Sequence, residues 1–100
     1  MTNAEVFNAF ATKRIAKGGS VRTEAIAGGT GVALFSYGTP VAVNTDEHGI
    51  VFDARKYSVT TSKQQSQAMS ACTTYGYEVA YPEAFRNLCR ETGTYLGAAR

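Results

Sequence analysis

The sequence predicts a single α+β domain: an N-terminal helix, an antiparallel sheet of four to five strands, and two C-terminal helices packed on one face. Three observations point there. The 100-residue chain is 44% apolar and 18% charged, a balance that supports one compact core and lies far from the composition of disordered chains. Apolar residues recur with a helical period near the start and again after residue 60, whereas residues 20–53 are rich in strand formers interrupted by turn residues. No stretch approaches the ~20 apolar residues of a membrane span, and no basic segment followed by an apolar run opens the chain, so a cytoplasmic protein without membrane contact is expected.

Thr2-Asn3-Ala4-Glu5 has the form of a capping box, in which a threonine hydroxyl and a glutamate carboxylate satisfy each other's backbone N–H groups. Val6, Phe7, Phe10, Ala11 and Ile15 then make the buried stripe of a helix. Lys13, Arg14 and Lys17 gather at its end, where cations offset the helix dipole, and Gly18-Gly19 is expected to stop it in a left-handed turn.

Ser20 to Ala27 reads as a strand, with Val21, Thr23 and Ala25 on one face and Arg22, Glu24 and Ile26 on the other. Gly28-Gly29-Thr30-Gly31 joins it to a second strand, Val32 to Tyr37. A phosphate-cradling loop would need a helix and a Lys-Ser or Lys-Thr pair after the glycines, and a strand follows instead, so the glycines read as a hairpin. Gly38-Thr39-Pro40 turns the chain into a third strand, Val41 to Val43. Asn44 to Gly49 is strong turn chemistry, and Ile50 to Phe52 is a fourth strand. Loops this short cannot carry a parallel crossover, which predicts an antiparallel meander.

Thr61 followed three residues later by Gln64 matches a second capping box. The helix it opens has Gln65, Ala68, Met69, Cys72 and Tyr75 as its inward stripe and ends at Gly76. Tyr77 to Tyr81 alternates as a short fifth strand. Pro82 then suits the first turn of a last helix that buries Phe85, Leu88 and Cys89 and stops at Gly93, leaving a tail with Tyr95 and Leu96.

The net charge of +2 is too mild to argue for nucleic acid unless the basic residues concentrate on one face. Two cysteines and one histidine fall short of the four ligands of a structural zinc site. Both thiols fall on apolar helix faces and read as buried and free, so neither metal nor cofactor is expected. His48 sits at a turn beside Asp46 and Glu47 with no nucleophile that sequence can place next to it. A non-enzymatic protein is the resulting expectation.

The most unusual stretch is the polar entry to the second helix. Arg55, Lys56, Tyr57, Ser58, Thr60, Thr61, Ser62, Lys63 and Gln64 crowd hydroxyls, amides and cations where a helix presents unpaired N–H groups and partial positive charge, an arrangement that attracts anions. Tyr37 and Tyr57 add stacking surface. Three readings compete: the hydroxyls merely cap the helix, the segment grips phosphates of a nucleic acid, or exposed Tyr and Arg anchor a protein partner.

Phe35-Ser36-Tyr37-Gly38-Thr39-Pro40-Val41-Ala42, together with Tyr57-Ser58-Val59-Thr60-Thr61-Ser62-Lys63-Gln64-Gln65, resembles a family of short proteins of bacteriophages, archaeal viruses and mobile elements. That family combines a Ser-Tyr-x-Thr strand edge with a Tyr-Ser-x-Thr-Thr-Ser-Lys-x-Gln block, and its members often carry His at the position of Gln64. The resemblance implies a viral or mobile-element setting, in which small proteins frequently bind and block host machinery, including antiviral defence complexes. It leads to the expectation of a virus-encoded accessory protein in the host cytoplasm that inhibits a host protein or ribonucleoprotein complex, of anti-CRISPR or similar type. The alternative is a small nucleic-acid-binding module that uses Arg55, Lys56, Thr60, Thr61, Ser62 and Lys63 on phosphates.

Overall fold

Helix α1 (Asn3–Ala11) starts as the sequence dictates and stops early. Thr2 and Glu5 form the expected reciprocal capping box, and Val6, Phe7, Ala9, Phe10 and Ala11 are buried. The helix then ends well before Gly18-Gly19, with Lys13 in the left-handed region at φ 58°. A distant partner sets this end. The Nδ2 of buried Asn44 donates to the carbonyls of Phe10 at 2.8 Å and Ala11 at 3.2 Å, taking acceptors that another turn of helix would need. Thr23 then holds the chain extended, its hydroxyl donating to the Arg14 carbonyl and accepting from the Ala16 N–H. Ile15, expected on the buried stripe, is left 62% exposed.

The computed structural model describes residues 2–26, 31–55 and 59–93; glycines 28 and 29 of the first hairpin and the tail with Tyr95 and Leu96 lie outside them. The remaining elements are β1 (Val21–Ala25), β2 (Gly31–Ser36), β3 (Thr39–Thr45), β4 (Gly49–Asp53), α2 (Val59–Cys72), β5 (Glu78–Ala80) and α3 (Pro82–Thr92). The fold is α+β, with an N-terminal helix, one five-stranded sheet in the order β1-β2-β3-β4-β5, and two later helices. No helix among the described residues is long and apolar enough to cross a membrane.

The first four strands form the expected antiparallel meander. β5 departs from it by pairing with β4 in parallel. Its connection is α2 and not a short loop, and a connection of that length carries the chain back to the starting end of the sheet. Pro40, placed in the turn by the sequence, lies within β3, where the register slips between Leu34 and Phe35. A bulge is one of the few sheet positions that accepts a residue without an N–H.

Alternation along the strands divides the core in two. Val32, Leu34, Ala42, Ile50 and Phe52 face one way and pack with α1 and with Ala68 and Cys72 of α2. Ala33, Phe35, Val43 and Val51 face the other way and pack with Phe85 and Cys89 of α3. The two C-terminal helices therefore lie on opposite faces, not on one, and α2 shares its face with α1. Helix α3 has the predicted ends, with Pro82 in its first turn and Gly93 left-handed at its C-cap.

Both cysteines are free and buried. Burial pushes the Cys72 thiol up to about 11, and burial with the nearby Asp53 charge pushes Cys89 up to about 12. The unfolded chain releases these protons near pH 9 while the native state holds them, so the stabilising effect is complete below pH 9 and is lost as pH climbs toward 11 and 12. The loss should be on the order of 1 kcal/mol per thiol per pH unit. Denaturant melts from pH 8 to 11 should show the decline, and Cys89→Ala should flatten it; an unchanged slope in that variant would assign the decline to other groups.

Candidate functional site

One end of the sheet gathers most of the residues singled out by sequence. There β1 and β3 begin, β2 and β4 end, and α2 sets out. Tyr37 and Gly38 connect β2 to β3 with φ of 51° and 83°. Two consecutive left-handed residues between antiparallel strands make a type I′ turn, whose twist matches that of the strands it joins. Such a turn favours Asn or Asp followed by Gly; here its first central residue is a tyrosine, 66% exposed. Beside it lies a depression of about 170 Å³ lined by Lys17, Ser20, Arg22, Tyr37 and Gly38 among others.

Helix α2 reaches this end with its first turn, and the structure splits the polar segment by direction. Thr61 and Gln64 are buried, and Thr60 and Lys63 are exposed. Gln64 is held twice, accepting from the Ser36 hydroxyl at 2.6 Å and donating to the Ser20 hydroxyl at 2.7 Å. The Ser36 and Thr61 hydroxyl oxygens lie 3.3 Å apart. Thr61 is thus the third residue of the helix, facing β2, and it does not form a capping box with Gln64. The Thr61 hydroxyl and the Gln64 amide, both in the expected binding set, instead bolt α2 to the ends of β1 and β2. A buried polar side chain left without a partner would cost about 1–3 kcal/mol, and this network meets that requirement for each of its members.

Gln65 is buried beside them. Its Nε2 donates to the carbonyls of Val41 at 3.2 Å and Asp53 at 2.8 Å, just past the last ladder pair of β3 and β4, Ala42 with Phe52. The amide bridges two strands where their own pairing stops. Arg55 follows at the same end, exposed, its N–H donating to the Asp53 carboxylate. Ser62 is half-buried. Of the predicted set, Tyr37, Arg55, Thr60, Thr61, Ser62, Lys63 and Gln64 come together here, while Lys56, Tyr57 and Ser58 lie outside the described residues.

Sequence reasoning missed Ser20 and Ser36, the inward partners of Gln64. A serine closing the apolar run Val32 to Phe35 was the available signal. It also placed Tyr75 on the inward stripe of α2, whereas that helix ends at Cys72 and Tyr75 is 60% exposed. His48 is exposed at the β3–β4 turn as expected, and α3 brings Glu91 to it and to Glu47, with donor atoms within 4.8 Å of one another. The turn is pinned further by an ion pair of Lys13 with Asp46 at 3.0 Å.

A mixed five-stranded sheet between a two-helix layer and a single helix, with an internally bonded polar latch and an exposed aromatic turn tip at one end, defines a small three-layer α+β domain. The chain belongs to a family of unknown function, DUF8033, whose pattern matches residues 4–81, from α1 through β5. No curated protein and no solved structure matches it.

Proposed function

We propose that the protein works by binding: a non-enzymatic, virus-encoded accessory protein that docks on a host protein or ribonucleoprotein complex and blocks it, with an antiviral defence complex of the CRISPR type as the concrete case. The viral setting rests on the resemblance of the Phe35–Ala42 and Tyr57–Gln65 blocks. The binding surface rests on Tyr37. A bulky side chain in the left-handed region costs about 1–3 kcal/mol, and asparagine would serve the turn better. Tyrosine at an exposed turn tip is strain without benefit to the fold, and it presents a rigid ring of the kind that anchors protein interfaces.

The nucleic-acid alternative draws on the same end of the molecule, where Lys17, Arg22, Arg55 and Lys63 supply positive charge. It is the weaker reading because Thr61 and Gln64 already spend their polar groups inside the fold.

Tyr37→Asn separates stability from function. Its melting temperature should stay the same or rise by a few degrees, since about 1 kcal/mol corresponds to roughly 4–8 °C in a domain of this size. Capture of host partners from infected cells should fall sharply for the variant and survive nuclease treatment for the unaltered protein. Equal capture by both would remove Tyr37 from the interface. Partners lost to nuclease, with binding that weakens steeply as salt rises, would favour the phosphate reading.

A further inference from the structure

The two edges of the sheet are treated differently. Outside β1 the chain closes its own edge: Lys17 bridges to Arg22, and backbone bonds run from Gly18 N–H to Val21 and from Thr23 N–H to Ala16. Arg22 and Glu24 pair there as well, so charge guards an edge that is already covered. At the other edge, β5 is the terminal strand among the described residues, and its surroundings are aromatic. Tyr77, Val79 and Tyr81 are 40%, 53% and 82% exposed.

The backbone of β5 also has a definite direction. The Ala80 carbonyl accepts from Ala54 N–H, so Ala80 and, by alternation, Glu78 turn their peptide groups toward β4. Tyr77, Val79 and Tyr81 turn theirs outward. Val79 lies beside Phe52 in the ladder, which puts these three side chains on the face covered elsewhere by α1 and α2. Tyr77 extends that core outward, its ring 5.3 Å from Phe52 at 75°.

We propose that two copies of the chain join through β5, antiparallel about a two-fold axis at Val79, to make one continuous sheet. The strand is self-complementary in this register. Val79 meets Val79 of the second copy and Tyr77 meets Tyr81 in both directions, so all three outward-facing residues find partners. The Tyr81 carbonyl already accepts from Phe85 N–H in α3, which leaves about four backbone hydrogen bonds across the dyad. Glu78 falls opposite Ala80. Sliding the register toward the strand's start would set Glu78 against Glu78, and sliding it the other way would leave Tyr77 beyond the pairing. Tyrosine pairs flanking a β-branched residue are among the favourable cross-strand combinations, and an isologous contact of this kind closes at two chains.

Sedimentation equilibrium tests this on the full chain. The unaltered protein should pass from 10.7 kDa toward twice that mass as concentration rises, and Val79→Lys, which sets two cations against each other at the axis, should weaken the association at least tenfold. At concentrations where the parent is monomeric the variant's melting temperature should match it, because Val79 is 53% exposed in the single chain. Hydrogen exchange gives a readout without a variant: the Val79 N–H should gain protection with concentration. A protein that remains monomeric to roughly 1 mM, where an association worth about 4 kcal/mol would show, overturns the proposal. So does a dimer that Val79→Lys leaves intact, or a Val79 N–H whose exchange ignores concentration.

Discussion

Phe52→Ala should be the most damaging single substitution in the molecule, destabilising it by about 3–5 kcal/mol. Phe52 is fully buried and joins three elements. Its ring meets Phe10 of α1 edge-on at 5.9 Å and Tyr77 at 5.3 Å, and its backbone pairs with both Ala42 of β3 and Val79 of β5. Truncation leaves a void that the sheet cannot close without moving α1, and it strips two edge-to-face contacts from rings on either side. With a total stability of roughly 5–15 kcal/mol for a domain of this kind, the loss would be a large fraction of the whole. Urea denaturation should show a much lower midpoint at an unchanged slope. Tyr77→Ala, at a position 40% exposed, should cost distinctly less, and a larger cost there would mean that the core extends further toward β5 than Phe52.

Gln65→Leu should cost about 2–5 kcal/mol, although it replaces a polar residue in a buried position by an apolar one of similar size. Leucine is at least as good a helix former, so the direction of the effect rests on the carbonyls of Val41 and Asp53, which would lose the amide that reaches them. A buried carbonyl deprived of its donor carries a desolvation penalty of about 1–3 kcal/mol. Gln65→Glu removes the same donors and adds a carboxylate facing two carbonyls, so at pH 7 it should be at least as damaging as leucine. A Gln65→Leu protein as stable as the parent would show that the ends of β3 and β4 do not need this bridge.

These two residues mark how far the sequence could be read. Phe52 stands in an apolar run bounded by turn signals, and its burial was legible. So were the capping box at Thr2 and Glu5, the meander of β1 to β4, and the Pro82 and Gly93 boundaries of α3, because each is decided within a few residues of chain. The end of α1 was not, since Asn44, more than thirty positions later, takes its last carbonyls. The face of α2 was legible in part. Gln65 falls on the expected inward stripe with Ala68 and Cys72, whereas Gln64 reads as a capping residue until Ser20 and Ser36 are brought beside it. That reading of Gln64 enlarged the candidate site. Its residues were legible as one polar segment at a helix start, but their placement beside Tyr37 at one end of the sheet and the inward turn of Thr61 and Gln64 depend on tertiary partners that no local pattern encodes.

The sheet has one more effect, on the two thiols. Cys72 packs with the α1 and α2 layer and Cys89 with α3, so five strands of backbone stand between them. A disulfide requires Cα atoms within about 7 Å, and no adjustment of side chains could bridge that partition. Air oxidation or a reducing buffer should therefore leave the covalent structure of the folded chain the same, and the protein can meet either environment without a change of shape.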